Sequence, residues 1–119
     1  MSPKALTSDG PLSPQVFHIL ISLYDNELHG YGIIQRVAAR TDGAMRLSAS
    51  TLYGAIKRML RDGLIEESDA RPAPDQDDQR RRYYRITPAG HEALKTESRR
   101  IAELARVVAE QGLLVEYEG

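Results

Sequence analysis

The sequence predicts a mainly α-helical fold with one small β-hairpin and a long helix at its C-terminal end. Three observations carry this prediction. Four segments place apolar residues at helical spacing, and three of them begin on a hydroxyl cap, at Ser13, Ser48 and Thr87. Two short alternating runs, 64–67 and 80–87, flank a stretch rich in proline and acid. After Pro88 an apolar repeat of seven continues for about 24 residues, a length of about 36 Å.

The elements follow in order. Residues 1–12 hold Ser, Pro and Gly with little periodicity and predict a flexible N-terminal arm. Ser13-Pro14 starts the first helix with a capping hydroxyl followed by a proline at the first helical position. Val16, Ile19, Leu20, Leu23 and Tyr24 then share its core-facing side, and Asp25-Asn26-Glu27 ends it. Leu28-His29-Gly30-Tyr31-Gly32 opens a second helix in which Tyr31, Ile34, Val37 and Ala38 share a face. Tyr31 therefore reads as a packing residue. The two glycines near its start cost helix propensity, which suggests close packing or a tight entry there. Thr41-Asp42-Gly43 closes it, and 44–47 is a link that could pair as a strand.

Ser48 caps the third helix and Gly63 stops it. Leu52, Ile56, Met59 and Leu60 form its apolar stripe. Ser50, Tyr53, Gly54, Lys57, Arg58 and Arg61 recur on the other side, with no acid before Asp62. A helix with one stripe for a core and another of hydroxyls, aromatic and base suits phosphates and base edges in a major groove. Tyr53 alone has a second reading, packing against the strands that follow. In the last strand Arg82, Tyr84 and Ile86 alternate with Tyr83, Arg85 and Thr87, and Tyr84 and Ile86 read as core. Helix, helix, helix, strand, loop, strand is the order of a winged helix-turn-helix, with the third helix entering the groove and the hairpin loop as the wing.

Thr87-Pro88 starts the long helix. Leu94, Ile101 and Val108 are spaced by sevens, and Leu104 fills the intermediate position, so the four form a seam for another helix. Glu97 and Ser98 interrupt the upper heptad. A helix of this length overshoots a core of three short helices, and a second copy of the chain is the simplest partner for its far half. The expected organisation is an arm at 1–12, a winged-helix domain at 13–87, and a dimerisation helix and tail at 88–119.

Composition narrows the function classes. The 119 residues hold no cysteine, which removes disulfides, thiol nucleophiles and thiolate metal sites. No apolar run approaches a membrane span or the core of a signal peptide, so a cytoplasmic chain with no membrane partner is expected. His18, His29 and His91 have no ligand pair at i+3 or i+4, and no carboxylate pair or nucleophile elbow marks catalysis. No metal, cofactor or enzymatic activity is expected. Net charge is −1, yet the distribution is uneven. Arg46, Lys57, Arg58 and Arg61 stand against Asp62 alone, and Arg80, Arg81, Arg82 and Arg85 stand together. Between these patches lie Glu66, Glu67, Asp69, Asp75, Asp77 and Asp78, opposed only by Arg71. A local patch acts on a partner despite neutral totals, because salt screens over roughly 8–10 Å.

Four motifs in sequence are similar to the PadR family of bacterial transcriptional regulators, in its short form with one C-terminal helix. They are Leu28-His29-Gly30-Tyr31-Gly32-Ile33-Ile34, Leu47-Ser48-Ala49-Ser50-Thr51-Leu52-Tyr53, Asp62-Gly63-Leu64-Ile65, and the run from Arg81 to Gly90. The resemblance covers roughly residues 13 to 110. It implies a homodimer on a palindromic operator in double-stranded DNA, usually a repressor released by a small apolar or aromatic effector. By position it implies DNA contacts from Ser50, Thr51, Tyr53, Lys57 and Arg58 on the third helix, and from Arg80, Arg81 and Tyr83 at the base of the wing. The chain departs from the family at the wing tip, where Asp75-Gln76-Asp77-Asp78-Gln79 stands in place of glycines and would be repelled by phosphate. With no Trp and one Phe, an aromatic sandwich around an effector would rest on tyrosines. The alternative reading is a winged-helix module that docks on a protein and has no affinity for DNA.

Overall fold

The computed structural model describes residues 11–68 and 82–114. The N-terminal arm, the wing tip, Arg80, Arg81 and Val115 lie outside the described residues. Helix α1 spans Pro14–Tyr24, strand β1 Leu28–His29, helix α2 Gly30–Arg40 and helix α3 Ala49–Arg61. Strand β2 (Ile65–Ser68), strand β3 (Tyr83–Ile86) and helix α4 (Pro88–Glu110) follow. The three strands form one antiparallel sheet in the order β1-β3-β2.

The three caps legible in the sequence are all made. The hydroxyl of Ser13 accepts from Val16 N–H, that of Ser48 from Thr51 N–H, and that of Thr87 from Gly90 N–H. Each satisfies an amide that the first helical turn cannot. Replacing Ser48 by Ala should therefore destabilise the fold by about 1 kcal/mol. Thermal melts should show a fall of about 4 °C. An unchanged melting temperature would remove the cap from the account of α3. That helix also ends as its sequence demands. Gly63, at φ +78, donates to Leu60 C=O, and Leu64 N–H reaches back to Met59 C=O. This paired closure needs a left-handed residue, which glycine adopts without a side-chain clash.

Ile19, Leu20 and Leu23 of α1, Ile33 and Val37 of α2, and Leu52, Ala55, Ile56 and Met59 of α3 make one core. The sheet closes it with Ile65 and the buried Tyr84, and Ile86 packs against its edge. Several expectations change at the borders of this core. Residues 44–47 form no strand; the third strand is Leu28–His29, whose partners are Tyr84 and Tyr83. Tyr24 and Tyr31 lie at the edges of their helical stripes and are surface residues, 57% and 63% exposed. Ile33 fills the buried place on α2. Leu94 belongs to the protomer's own core, which withdraws it from any seam between copies.

Glu97, at the interrupted heptad position, is buried. Arg100 holds its carboxyl below the usual carboxylate range by hydrogen bonding, against the opposing effect of burial and with help from the Leu12 backbone N–H. Glu97 thus ties the segment before α1 to the middle of α4. A depressed carboxyl binds fewer protons folded than unfolded, so its contribution is complete above the ordinary carboxylate pKa of about 4.3. That contribution is lost as pH falls through the folded-state value. Melting curves of the wild type and Glu97→Gln should differ by a constant amount from pH 7 down to about 5 and converge below it. A difference that stays constant to pH 3 would contradict the linkage.

Candidate nucleic-acid interface

The outer face of α3 follows from its inner one. With Leu52, Ala55, Ile56 and Met59 buried, helical spacing turns Ser50, Thr51, Tyr53, Lys57 and Arg58 outward, and all five are exposed. Neither Lys57 nor Arg58 has an acidic partner within salt-bridge reach among the described residues. Both cations are available to a phosphate. Gly54 leaves room for the Arg58 guanidinium, which lies 3.7 Å from where a Cβ at 54 would stand. Thr51 is engaged, since its hydroxyl accepts from Ser48 at 3.0 Å. Its reach to a base is therefore through its methyl group or by leaving the cap.

Tyr53 combines both readings given to it. Its ring is 44% exposed, while its hydroxyl lies against Gly30, at 2.2 Å from the position a Cβ there would occupy. The glycine at the entry of α2 is thus the seat of the tyrosine, and this explains the close packing that its propensity cost suggested. Because the obstacle is the tip of a mobile side chain, Gly30→Ala would redirect Tyr53 with little damage to the backbone. Beneath it, burial raises the Tyr84 hydroxyl above its ordinary pKa, Tyr53 and Glu67 push the same way, and Arg82 opposes them. Four side chains from α3, β2 and β3 therefore meet at one corner beside the groove-facing helix.

The wing base differs from expectation. Successive strand residues alternate faces, so Tyr83 lies on the opposite side of β3 from the buried Tyr84. It pairs with His29 of β1, ring edge to ring face at 5.2 Å. His29 in turn caps α2, its Nδ1 accepting from Gly32 N–H at 3.1 Å, and stacks on the exposed Tyr31. Sequence reasoning missed His29 as a cap and Tyr31 as a surface aromatic. The described arginines of the basic run make ion pairs across the sheet: Arg82 with Glu67 at 2.9 Å, and Arg85 with Glu66 at 2.8 Å. These pairs are exposed and individually weak. Even so, they leave Lys57 and Arg58 as the foremost unneutralised cations of this surface.

An apolar stripe, a hydroxyl-capped start and an outward basic face on the third helix, flanked by a hairpin, together form a winged helix-turn-helix. A family model described as the transcriptional regulator PadR-like family matches residues 19–96, from the middle of α1 to the middle of α4. The chain belongs to the PadR-like family of transcriptional regulators. Its relatives include the transcriptional regulator Rv3488 of Mycobacterium tuberculosis, 41% identical over 91 residues, 76% of this chain and 78% of that protein. A solved transcriptional regulator from Clostridium thermocellum superposes with a TM-score of 0.66 at 27% identity, over 81% of this chain and 87% of that one. Bacillus subtilis PadR, solved in complex with operator DNA, shares the fold at a TM-score of 0.59 and 21% identity, over 72% of this chain and 47% of that one. Membership of the PadR-like family makes the chain a regulator rather than an enzyme. Among the described residues no helix is long and apolar enough to cross a membrane.

Proposed function

We propose that this PadR-like chain binds a palindromic operator as a homodimer, with one α3 in each of two successive major grooves about 34–36 Å apart. The observation that carries this reading is the outward face of α3, where Lys57 and Arg58 stand without acidic partners beside Ser50 and the half-exposed Tyr53. Lys57 and Arg58 contact phosphates or base edges, Ser50 and Tyr53 the groove, and Thr51 contributes from the cap. Arg80, Arg81 and Tyr83 supply the flanking contacts at the wing base, while the acidic tip stays away from the backbone. The C-terminal helix pairs the two copies through Ile101, Leu104 and Val108. The family relationship carries the finer reading, a repressor that a small apolar or aromatic effector releases.

A titration of duplex carrying the palindrome from the chain's own promoter tests this reading. Affinity should fall steeply with salt, by a power near 0.9 for each phosphate neutralised. Binding to no duplex at any salt concentration would transfer the winged helix to the rival role of docking on a protein. Candidate effectors added to the same titration should release the duplex if the repressor reading holds.

A further inference from the structure

We propose that Leu113 and Leu114 of a second copy fill the groove between α1 and α4, so that each half of the molecule is completed by the tail of the other. The inference rests on the homodimer reading and extends it to a segment and a site that the seam residues do not include.

The groove has a volume of about 330 Å³ and is lined by Ile21, Tyr24, His91, Leu94, Lys95 and Ser98. Leu94 and Ile21 give it an apolar floor, and the Tyr24 ring lies on the His91 ring at 5.3 Å. From Ser98 onward α4 is surface: Ile101, Leu104 and Val107 are exposed, and its other side chains are charged or small. At its end Gly112 takes φ +80 and Leu113 N–H bonds back to Val108 C=O, which holds the next two residues within a turn of the helix. Leu113 is 64% exposed and Leu114 37%, so the protomer gives neither a full seat.

The charge pattern selects how a second copy lies. In an antiparallel pair whose axis passes between Leu104 and Ala105, Ile101 faces Val108 and Leu104 faces Ala105 of the other copy. The same axis sets Glu103 opposite Arg106 and Glu110 opposite Arg99. Within each copy Arg106 already bonds Glu103 and Glu110 along the helix, so the pairing extends an existing row of alternating charge. A parallel pair would set each of these charges against itself. The apolar and charged positions thus agree on one axis, and that axis places Leu114 opposite Lys95 and Leu113 opposite Thr96, over the groove. The family match ends at residue 96, so the far half of α4 and its two leucines are features of this chain that the match does not cover.

The absence of cysteine makes the test direct. A Lys95→Cys/Leu114→Cys chain has its two thiols 19 residues apart along α4, about 28 Å. An internal disulfide needs Cα atoms about 5.5–6 Å apart, so a bond can form only between copies. Under mild oxidation this variant should run mainly as a covalent dimer on a non-reducing gel, while each single variant should not. A chain that is dimeric by light scattering yet fails to cross-link overturns the proposal and leaves the homodimer standing. Cross-linking of Leu114→Cys alone, at the efficiency of the pair, would mean tail against tail and also overturns it. A monomer at every concentration removes the homodimer reading itself. As a second measurement, Leu113→Asp/Leu114→Asp should weaken the dimer about 10-fold or more with its helical spectrum unchanged; an unaltered dissociation constant counts against the proposal.

Discussion

Replacing both Lys57 and Arg58 by Ala should weaken operator binding by about 100-fold at 0.15 M salt, on the expectation of about 1–3 kcal/mol for a specific side-chain contact and tenfold per 1.4 kcal/mol. The reasoning begins with position. Both residues are exposed on the face of α3 opposite Leu52, Ile56 and Met59, and neither is neutralised by a described acid. A homodimer presents each of them twice, so the double substitution removes four cations from the interface. The slope of log affinity against log salt should then fall by about 3–4, at about 0.9 per phosphate contact. Substitutions on an exposed face usually change stability by less than about 0.5 kcal/mol, so the melting temperature and the dimer should stay as in the wild type. Fluorescence anisotropy over a salt series reads both quantities. Wild-type affinity and slope in this variant would remove α3 from the role of groove reader. The single variants sort the contacts further. A residue that reads a base loses discrimination between operator and random duplex; one that holds a phosphate loses affinity equally for both.

The interface divides into parts that were legible in the sequence and parts that were not, and the division has physical reasons. The caps of α1, α3 and α4 were legible because Ser and Thr before a helical period leave few alternatives to accepting a free amide. The two faces of α3 were legible because thirteen residues give more than three turns of periodicity. Strand β1 was not, since two residues carry no period, and its existence depends on pairing with β3 more than fifty residues away. His29 as a cap was hidden for the same reason: its ring reaches Gly32 only because β1 fixes the backbone before α2. The edge tyrosines show a different limit. Helical spacing says which stripe faces the core but not how far cover extends around the helix, and Tyr24 and Tyr31 fall just beyond it. Leu94 and Ile101 share a heptad position yet part ways, because the body of the protomer ends near Glu97. In the wing the charges could be counted, but their pairing could not. Arg82 meets Glu67 and Arg85 meets Glu66 through a register that only the folded hairpin sets.

Gly90→Ala should be the most disruptive small substitution in the chain, because Gly90 lies at the joint between the groove-facing helix and the dimerisation helix. A Cβ at Gly90 would stand 2.0 Å from the Leu64 carbonyl oxygen and 2.9 Å from Ile86 Cγ1. The first obstacle is backbone and cannot rotate away. It is also held from other directions: Leu64 C=O accepts from Thr87 N–H at 3.1 Å, and the Thr87 hydroxyl donates to Gly63 C=O at 2.6 Å. The same hydroxyl accepts from Gly90 N–H at 3.0 Å. An added methyl therefore forces α4 off the exit of α3 and breaks the hydrogen bonds that fix its angle. Overpacking of this kind costs about 3 kcal/mol, the upper part of its usual range. Melting should fall by about 10–20 °C. Gly32→Ala is the control, since its nearest neighbour would be an ordinary 3.5 Å away and alanine favours the helix. It should melt at or slightly above the wild-type temperature. Whatever folded Gly90→Ala remains should show a second defect. The angle of α4 to α3 sets the distance between the two α3 helices of a dimer, and half-site spacing on DNA is fixed by the helical repeat. At a temperature where the variant is folded, it should bind the palindrome less tightly than its stability loss explains, while keeping its affinity for random duplex. A variant that melts like the wild type would show that the Leu64–Gly90 contact has slack, and the joint would no longer account for the spacing.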